Sequence, residues 1–313
     1  MSRLMRAVGE PLVPSRELTA VSADGSRLHV EVYGPGGAPA LVLAHGWTCS
    51  TLFWSAQIRE LAGAGGYRVV VYDQRGHGRS PAVGPGGYST DALADDLEAV
   101  LATALAPGER AVLAGHSMGG MTMMAAAGRP GFREHAAAVL LCSTGGSRLV
   151  AESLVLPMRA GRLRTRMTRA VLGARAPLGP VTALSKALLK YATMGPGTSP
   201  ERVAECARIV HACPRAARVA WSQVLGELDI VPRIRELGVP TAVIAGTADR
   251  LTPLVHAREI VAALPHSLGL TELTGVGHMT PLEAPEAVTA KLRELVTTYV
   301  TPTARDEEKE QTV

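Results

Sequence analysis

Apolar and polar positions alternate along residues 17–22 and again along 27–33, and the four residues between, Ala23-Asp24-Gly25-Ser26, form a turn signal. Period-two alternation turns one side of each run to a core and the other to water, so the two are predicted to pair antiparallel at the edge of a sheet. After residues 34–39 the pattern changes. Continuous apolar runs follow at 40–44, 67–72, 111–114, 136–141, 241–245 and 267–273. Helical stretches alternate with them at 55–62, 90–105, 122–127, 253–264 and 285–299. Strands with no polar face must be covered on both sides. The alternation therefore predicts an α/β fold, a doubly wound, mostly parallel sheet of about eight strands. Functional side chains then belong at the C-terminal ends of the strands.

The alternation breaks between residues 145 and 237. Helical periodicity persists there without a strand, and Pro157, Pro177, Pro180, Pro196, Pro200, Pro214 and Pro232 cut it into segments. It reads as an all-helical cap, 145–237, inserted into a core made of 1–144 and 238–300. Residues 301–313 lack apolar periodicity and are expected to form a disordered tail. A length of 313 residues suits one large α/β domain carrying such an insertion.

Composition narrows the partners. The chain is 47% hydrophobic and 19% charged, enough to bury a core and too little charge for general disorder. The net charge of +4 is modest, and lysine occurs only at Lys186, Lys190, Lys291 and Lys309. No nucleic-acid motif accompanies the arginines, so nucleic acid is not an expected partner. The charge is uneven, however: residues 145–225 hold 13 Arg/Lys against 3 Asp/Glu. Arg159, Arg162, Arg166 and Arg169 recur at helical spacing, and Leu163, Met167 and Val171 share another face. This pattern has two readings: a solvated face beside a core-facing stripe, or a surface that attracts an anionic substrate or an acidic surface.

Residues 1–21 contain no apolar run of signal-peptide length, and no stretch approaches the roughly 18 apolar residues of a membrane span. Cys49, Cys142, Cys206 and Cys213 lack metal-ligand spacing. On one helix, Cys206 and Cys213 would stand about 10 Å apart, too far for a disulfide. The expectation is a cytoplasmic protein with reduced thiols, monomeric or weakly associating, acting on a small molecule without stable membrane insertion.

The candidate chemistry begins at Gly115-His-Ser117-Met-Gly119, between an apolar run and an Ala/Met-rich helical stretch. A serine on a sharp strand-to-helix turn is pushed out above the sheet, and glycines two before and two after let strand and helix approach. A serine hydroxyl needs an imidazole to take its proton. His278 fits, in the Gly-rich loop 274–281 between the last strand and the last helix. The imidazole needs a carboxylate to fix its tautomer, and Asp249 follows the strand at 241–245. The other usual position, after residue 141, reads Cys-Ser-Thr-Gly-Gly and holds no acid, while Asp73 precedes the serine. The backbone N–H groups of Met118 and of Trp47, in His45-Gly46-Trp47, are the expected oxyanion donors. His45, Gly46, Leu154, Leu163, Met167 and Trp221 are the candidate substrate-binding residues.

With these residues assembled, the chain resembles the α/β-hydrolase superfamily in its helical-cap branch. The resemblance rests on His45-Gly46-Trp47, Asp73-Gln-Arg-Gly-His-Gly-Arg-Ser80, Gly115-His-Ser-Met-Gly-Gly120, Gly246-Thr-Ala-Asp249 and Gly277-His278. It covers roughly 17–300. Similar proteins include carboxylesterases, lactonases, carbon–carbon bond hydrolases, proline iminopeptidases and cofactor-free haloperoxidases. Epoxide hydrolases and haloalkane dehalogenases share the frame but use an aspartate nucleophile, against which Ser117 argues. The resemblance implies a serine hydrolase of an ester, thioester or lactone of a small, largely apolar molecule, working through an acyl-enzyme and needing no cofactor or metal. Two alternatives stay open: hydrolysis of a carbon–carbon or amide bond, and a non-catalytic small-molecule binding protein.

Overall fold

The computed structural model describes residues 13–301. Residues 302–313, nearly all of the expected tail, and the first twelve residues lie outside the described part.

Eight strands form one sheet: β1 (Arg16–Val21), β2 (Arg27–Tyr33), β3 (Ala40–Ala44), β4 (Arg68–Tyr72), β5 (Ala111–His116), β6 (Ala136–Cys142), β7 (Thr241–Gly246) and β8 (Ser267–Leu273). The spatial order is β1-β2-β4-β3-β5-β6-β7-β8. β1 and β2 pair antiparallel with each other and β2 antiparallel with β4, and every later pairing is parallel. Strands β3, β5, β6 and β7 are buried at every residue, as their largely Val/Leu/Ala/Ile content requires. β8 differs. It is one of the two edge strands and is only partly covered, so its apolar run has no second wall.

Helices follow as α1 (Ser55–Ile58), α2 (Thr90–Ala104), α3 (Met118–Ala126), α4 (Pro130–His135), α5 (Leu149–Glu152), α6 (Arg162–Leu172), α7 (Ala183–Thr193), α8 (Pro200–Ala212), α9 (Arg215–Gly226), α10 (Val231–Ile234), α11 (Leu254–Ala263), α12 (Thr280–Glu283) and α13 (Pro285–Tyr299). One sheet face packs Val42, Val70 and Leu113 against Leu93 and Leu97 of α2 and Met121 of α3. The other packs Leu41, Leu43 and Val71 against Phe53, Trp54 and, from α13, Leu292 and Val296. The start of α2 is fixed by Ser89, whose Oγ accepts the Ala92 N–H at 3.0 Å.

Between β6 and β7 the chain runs through α5 to α10, with a single isolated bridge, Ser147 to Asp229. The predicted helix at 122–127 begins earlier, at Met118. The Gly119-Gly120 pair hides its first turn from propensity, and packing against α2 and β5 supplies what propensity lacks. The order of strands reverses between β3 and β5, which opens a crevice at their C-terminal ends.

Candidate active site

Ser117 sits in that crevice as the residue between β5 and α3, with φ 52° and ψ −116°. Three hydrogen bonds hold its backbone: its N–H donates to the Cys142 carbonyl at 2.9 Å, and its carbonyl accepts the Thr144 hydroxyl at 2.8 Å and the Met121 N–H at 3.1 Å. The flanking glycines are required sterically. A methyl at position 115 would overlap the Gly119 carbonyl, and one at 119 would overlap the Ala44 carbonyl.

Asp249 and His278 arrive from the ends of β7 and β8. His278 Nδ1 donates to Asp249 Oδ2 at 2.8 Å, with both residues buried. Asp249 Oδ1 accepts the N–H groups of Leu251 and Thr252 at 2.8 and 2.9 Å, and Oδ2 also accepts the Thr252 hydroxyl at 2.8 Å. The carboxylate is therefore fixed on every side, and the imidazole keeps Nε2 as its free acceptor. His116, beside the serine, donates from Nε2 to the His278 carbonyl at 2.9 Å, tying the two loops together. Among the described residues its Nδ1 is buried without a partner, and it faces Gly46, where a Cβ would stand 2.7 Å away.

The loop after β3 lies against the serine: a Cβ on Gly46 would stand 3.1 Å from that of Ser117. Among the described residues, no protein acceptor engages the N–H of Trp47 or of Met118. Three groups fix this loop. His45 donates from Nδ1 to the Gly46 carbonyl at 2.8 Å and accepts the Gln74 N–H at Nε2. His77 accepts the Thr48 N–H at 3.1 Å. Asp73 accepts the N–H of Thr51 at 2.8 Å and of Arg79 at 2.9 Å. Burial pushes His45 down to about 4 and His77 down to about 3, so both are neutral braces.

Ser117, His278, Trp47 and Thr252 line one cavity of about 240 Å³. Its wall is mostly apolar, with Met121 from α3 and Leu172, Leu189, Val210 and Leu225 from the helices between β6 and β7. The predicted substrate-binding residues are placed otherwise. Leu154, Leu163 and Met167 are exposed and lie outside the cavity wall. His45 is wholly buried in its bracing role, and Gly46 lies behind the wall against Ser117 and His116. Trp221 is a core residue. Its Nε1–H donates to the Arg75 carbonyl at 3.1 Å and its ring meets Tyr88 edge-on at 5.2 Å. Helical periodicity had marked an apolar stripe without saying which stripe faces inward.

Sequence reasoning missed Glu283. Its carboxylate accepts the N–H groups of Gly195, at 2.6 Å, of Gly277 and of Met279, and the Thr198 hydroxyl at 2.6 Å. The loop carrying His278 is thereby clamped to the α7–α8 connection, where Thr193 accepts the His278 N–H at 2.8 Å. A Glu five residues after the histidine was the available signal. Glu17, His29 and Glu31 bring three potential metal-ligand atoms within 4.8 Å, but Arg79 pairs with both carboxylates there.

The model of the alpha/beta hydrolase family matches residues 41–291, and the chain belongs to that family. It is 26% identical to 3-oxoadipate enol-lactonase 2 of Acinetobacter baylyi over 85% of this chain and 92% of that protein. A putative carbamate hydrolase of Variovorax paradoxus is 43% identical over 94 residues, 30% of this chain and only 34% of that protein. Among solved structures, the enol-lactonase from Burkholderia xenovorans superposes with a TM-score of 0.71 at 26% identity, covering 90% of this chain and all of that one (100%). Among the described residues no helix is long and apolar enough to cross a membrane.

Proposed function

We propose that the protein is a serine hydrolase that cleaves an ester, thioester or lactone of a small, largely apolar molecule through an acyl-enzyme. The observation that carries this reading is the buried Asp249–His278 hydrogen bond, which opens with Ser117 onto one apolar cavity. Ser117 Oγ attacks the acyl carbon and its proton passes to His278 Nε2. Asp249 holds Nδ1–H and stabilises the imidazolium. The carbonyl electrons move onto oxygen, which the Trp47 and Met118 N–H groups receive. Collapse expels the alcohol or thiol, protonated from His278. A water then gives one proton to the same imidazole and attacks the acyl carbon. As the bond to Ser117 Oγ breaks, that oxygen takes the proton back from His278, which releases the acid and regenerates Ser117. The similarity to two enol-lactonases supports an ester-type bond, a lactone being a cyclic ester. The helices from α5 to α9 act as a cap that sets substrate choice by supplying Val150, Leu172, Leu189 and Leu225 to the cavity wall.

The test is Ser117→Ala against p-nitrophenyl esters of graded chain length. Turnover is expected to fall on the order of 10³-fold or more with the fold retained, and a fluorophosphonate should label Ser117 in the wild type. Labelling elsewhere, with Ser117→Ala fully active, would refute the assignment.

A further inference from the structure

The apolar row of α6 that periodicity assigns to a core is turned to solvent. Leu163 is 64% exposed, and Met167 and Val171 are exposed beside it. α7 repeats the arrangement with Leu184, 69% exposed, Leu188 and Tyr191, and the connection adds Leu178 and Val181. With Leu154, nine of the 15 large hydrophobic residues exposed among the described residues fall between 154 and 191. Scattered apolar residues on a surface need no explanation, but a concentration like this one marks an interaction site. Val171 and Leu178 also line the cavity that holds Ser117 and His278, and Leu189 of α7 lines it too, so both helices border that cavity.

Charge selects the occupant. Residues 153–200 contain eight Arg/Lys and no Asp or Glu. Arg159, Arg162, Arg166, Arg169 and Arg175 are exposed, and among the described residues only Arg169 has a carboxylate within ion-pair distance, Glu227 at 3.9 Å. A second copy meeting this face would set cationic rows against each other, which is unfavourable. Amphipathic helices with an apolar stripe and unneutralised arginines have the composition of helices that lie in the headgroup layer of an anionic bilayer.

We propose that the α6–α7 surface docks on an anionic lipid surface and that the cavity draws its ester from that surface. The second half of this statement rests on the hydrolase reading above; the docking itself does not.

The docking is tested with the Ser117→Ala chain and vesicles of phosphatidylcholine or phosphatidylglycerol. Co-sedimentation is expected to favour phosphatidylglycerol by roughly tenfold or more at low salt. Arg162→Glu/Arg166→Glu and Leu184→Ser/Leu188→Ser, placed in an otherwise wild-type chain, should each remove most of that binding. These four residues lie outside the cavity wall. Hydrolysis of a water-soluble p-nitrophenyl ester should therefore stay within about twofold, while hydrolysis of a long-chain ester dissolved in anionic vesicles falls about tenfold. Equal partitioning to both vesicle types, or to neither, overturns the proposal. So does a dimer that Leu184→Ser/Leu188→Ser disperses without any vesicle binding, which assigns the face to a second copy. Vesicle binding by a wild-type chain that turns over no soluble ester would instead refute the hydrolase reading and leave the docking intact.

Discussion

Ser117 has a positive φ, a conformation that costs a non-glycine residue about 1–3 kcal/mol, and the surrounding hydrogen bonds hold it there. Alanine keeps that strain and glycine relieves it. Ser117→Gly should therefore unfold at a higher temperature than Ser117→Ala, by roughly 1 kcal/mol in stability, while both lack turnover. Equal melting temperatures would mean that the turn is not strained. The two candidate acids separate in the same way. Asp249→Asn should lower kcat by about 10²–10⁴-fold, because the imidazole loses the acceptor that fixes its tautomer. Melting should change little, because one amide oxygen can keep both N–H groups that Oδ1 accepts. Asp73→Asn should instead lower stability by about 1–3 kcal/mol, since one oxygen accepts the buried Thr51 N–H and the other the part-buried Arg79 N–H, and an amide can serve only one of them. An active Asp249→Asn beside an inactive, stable Asp73→Asn would reverse the assignment.

At the scale of elements, two contacts are among those that fasten the helices between β6 and β7 to the rest of the fold. One is Trp221 of α9, buried on Tyr88 and bonded to the Arg75 carbonyl. Trp221→Ala should cost about 3–5 kcal/mol in stability and leave the preference for ester chain length nearly unchanged. A shift of chain-length preference without a loss of stability would put the indole back in the acyl pocket. The other is Glu283, which joins the loop of His278 to the connection between α7 and α8. The helical character of this segment was legible from apolar periodicity. Its orientation was not: Leu163 and Met167 carry the same sequence signal as a core-facing stripe, and only the packing of α6 shows that their face is outward.

The whole molecule should respond to pH through its buried imidazoles. Burial holds His45, His77 and His116 below their ordinary value, so below about pH 6.5 the unfolded chain binds more protons than the folded one. Their stabilisation is complete above about pH 6.5 and is lost as pH falls toward 4. The loss approaches about 1.4 kcal/mol per pH unit for each fully buried imidazole. Melting temperature should drop steeply between pH 6.5 and 5, before ordinary carboxylates titrate. A flat profile over that interval would mean that these rings are not held neutral.

The alternation of apolar runs and helices determined the parallel sheet, because strands without a polar face can be satisfied only between two layers. Ser117, Asp249 and His278 were readable for the same local reason: each follows an apolar run, where a strand ends and a loop begins. Long-range contact decided everything else. The meeting of Asp249 with His278, the bond from His116 to the His278 carbonyl and the clamp at Glu283 join residues brought together by strand order and loop packing. The cavity wall depends likewise on how α6 to α9 rest on the sheet, and no periodicity within one helix encodes which neighbour it meets.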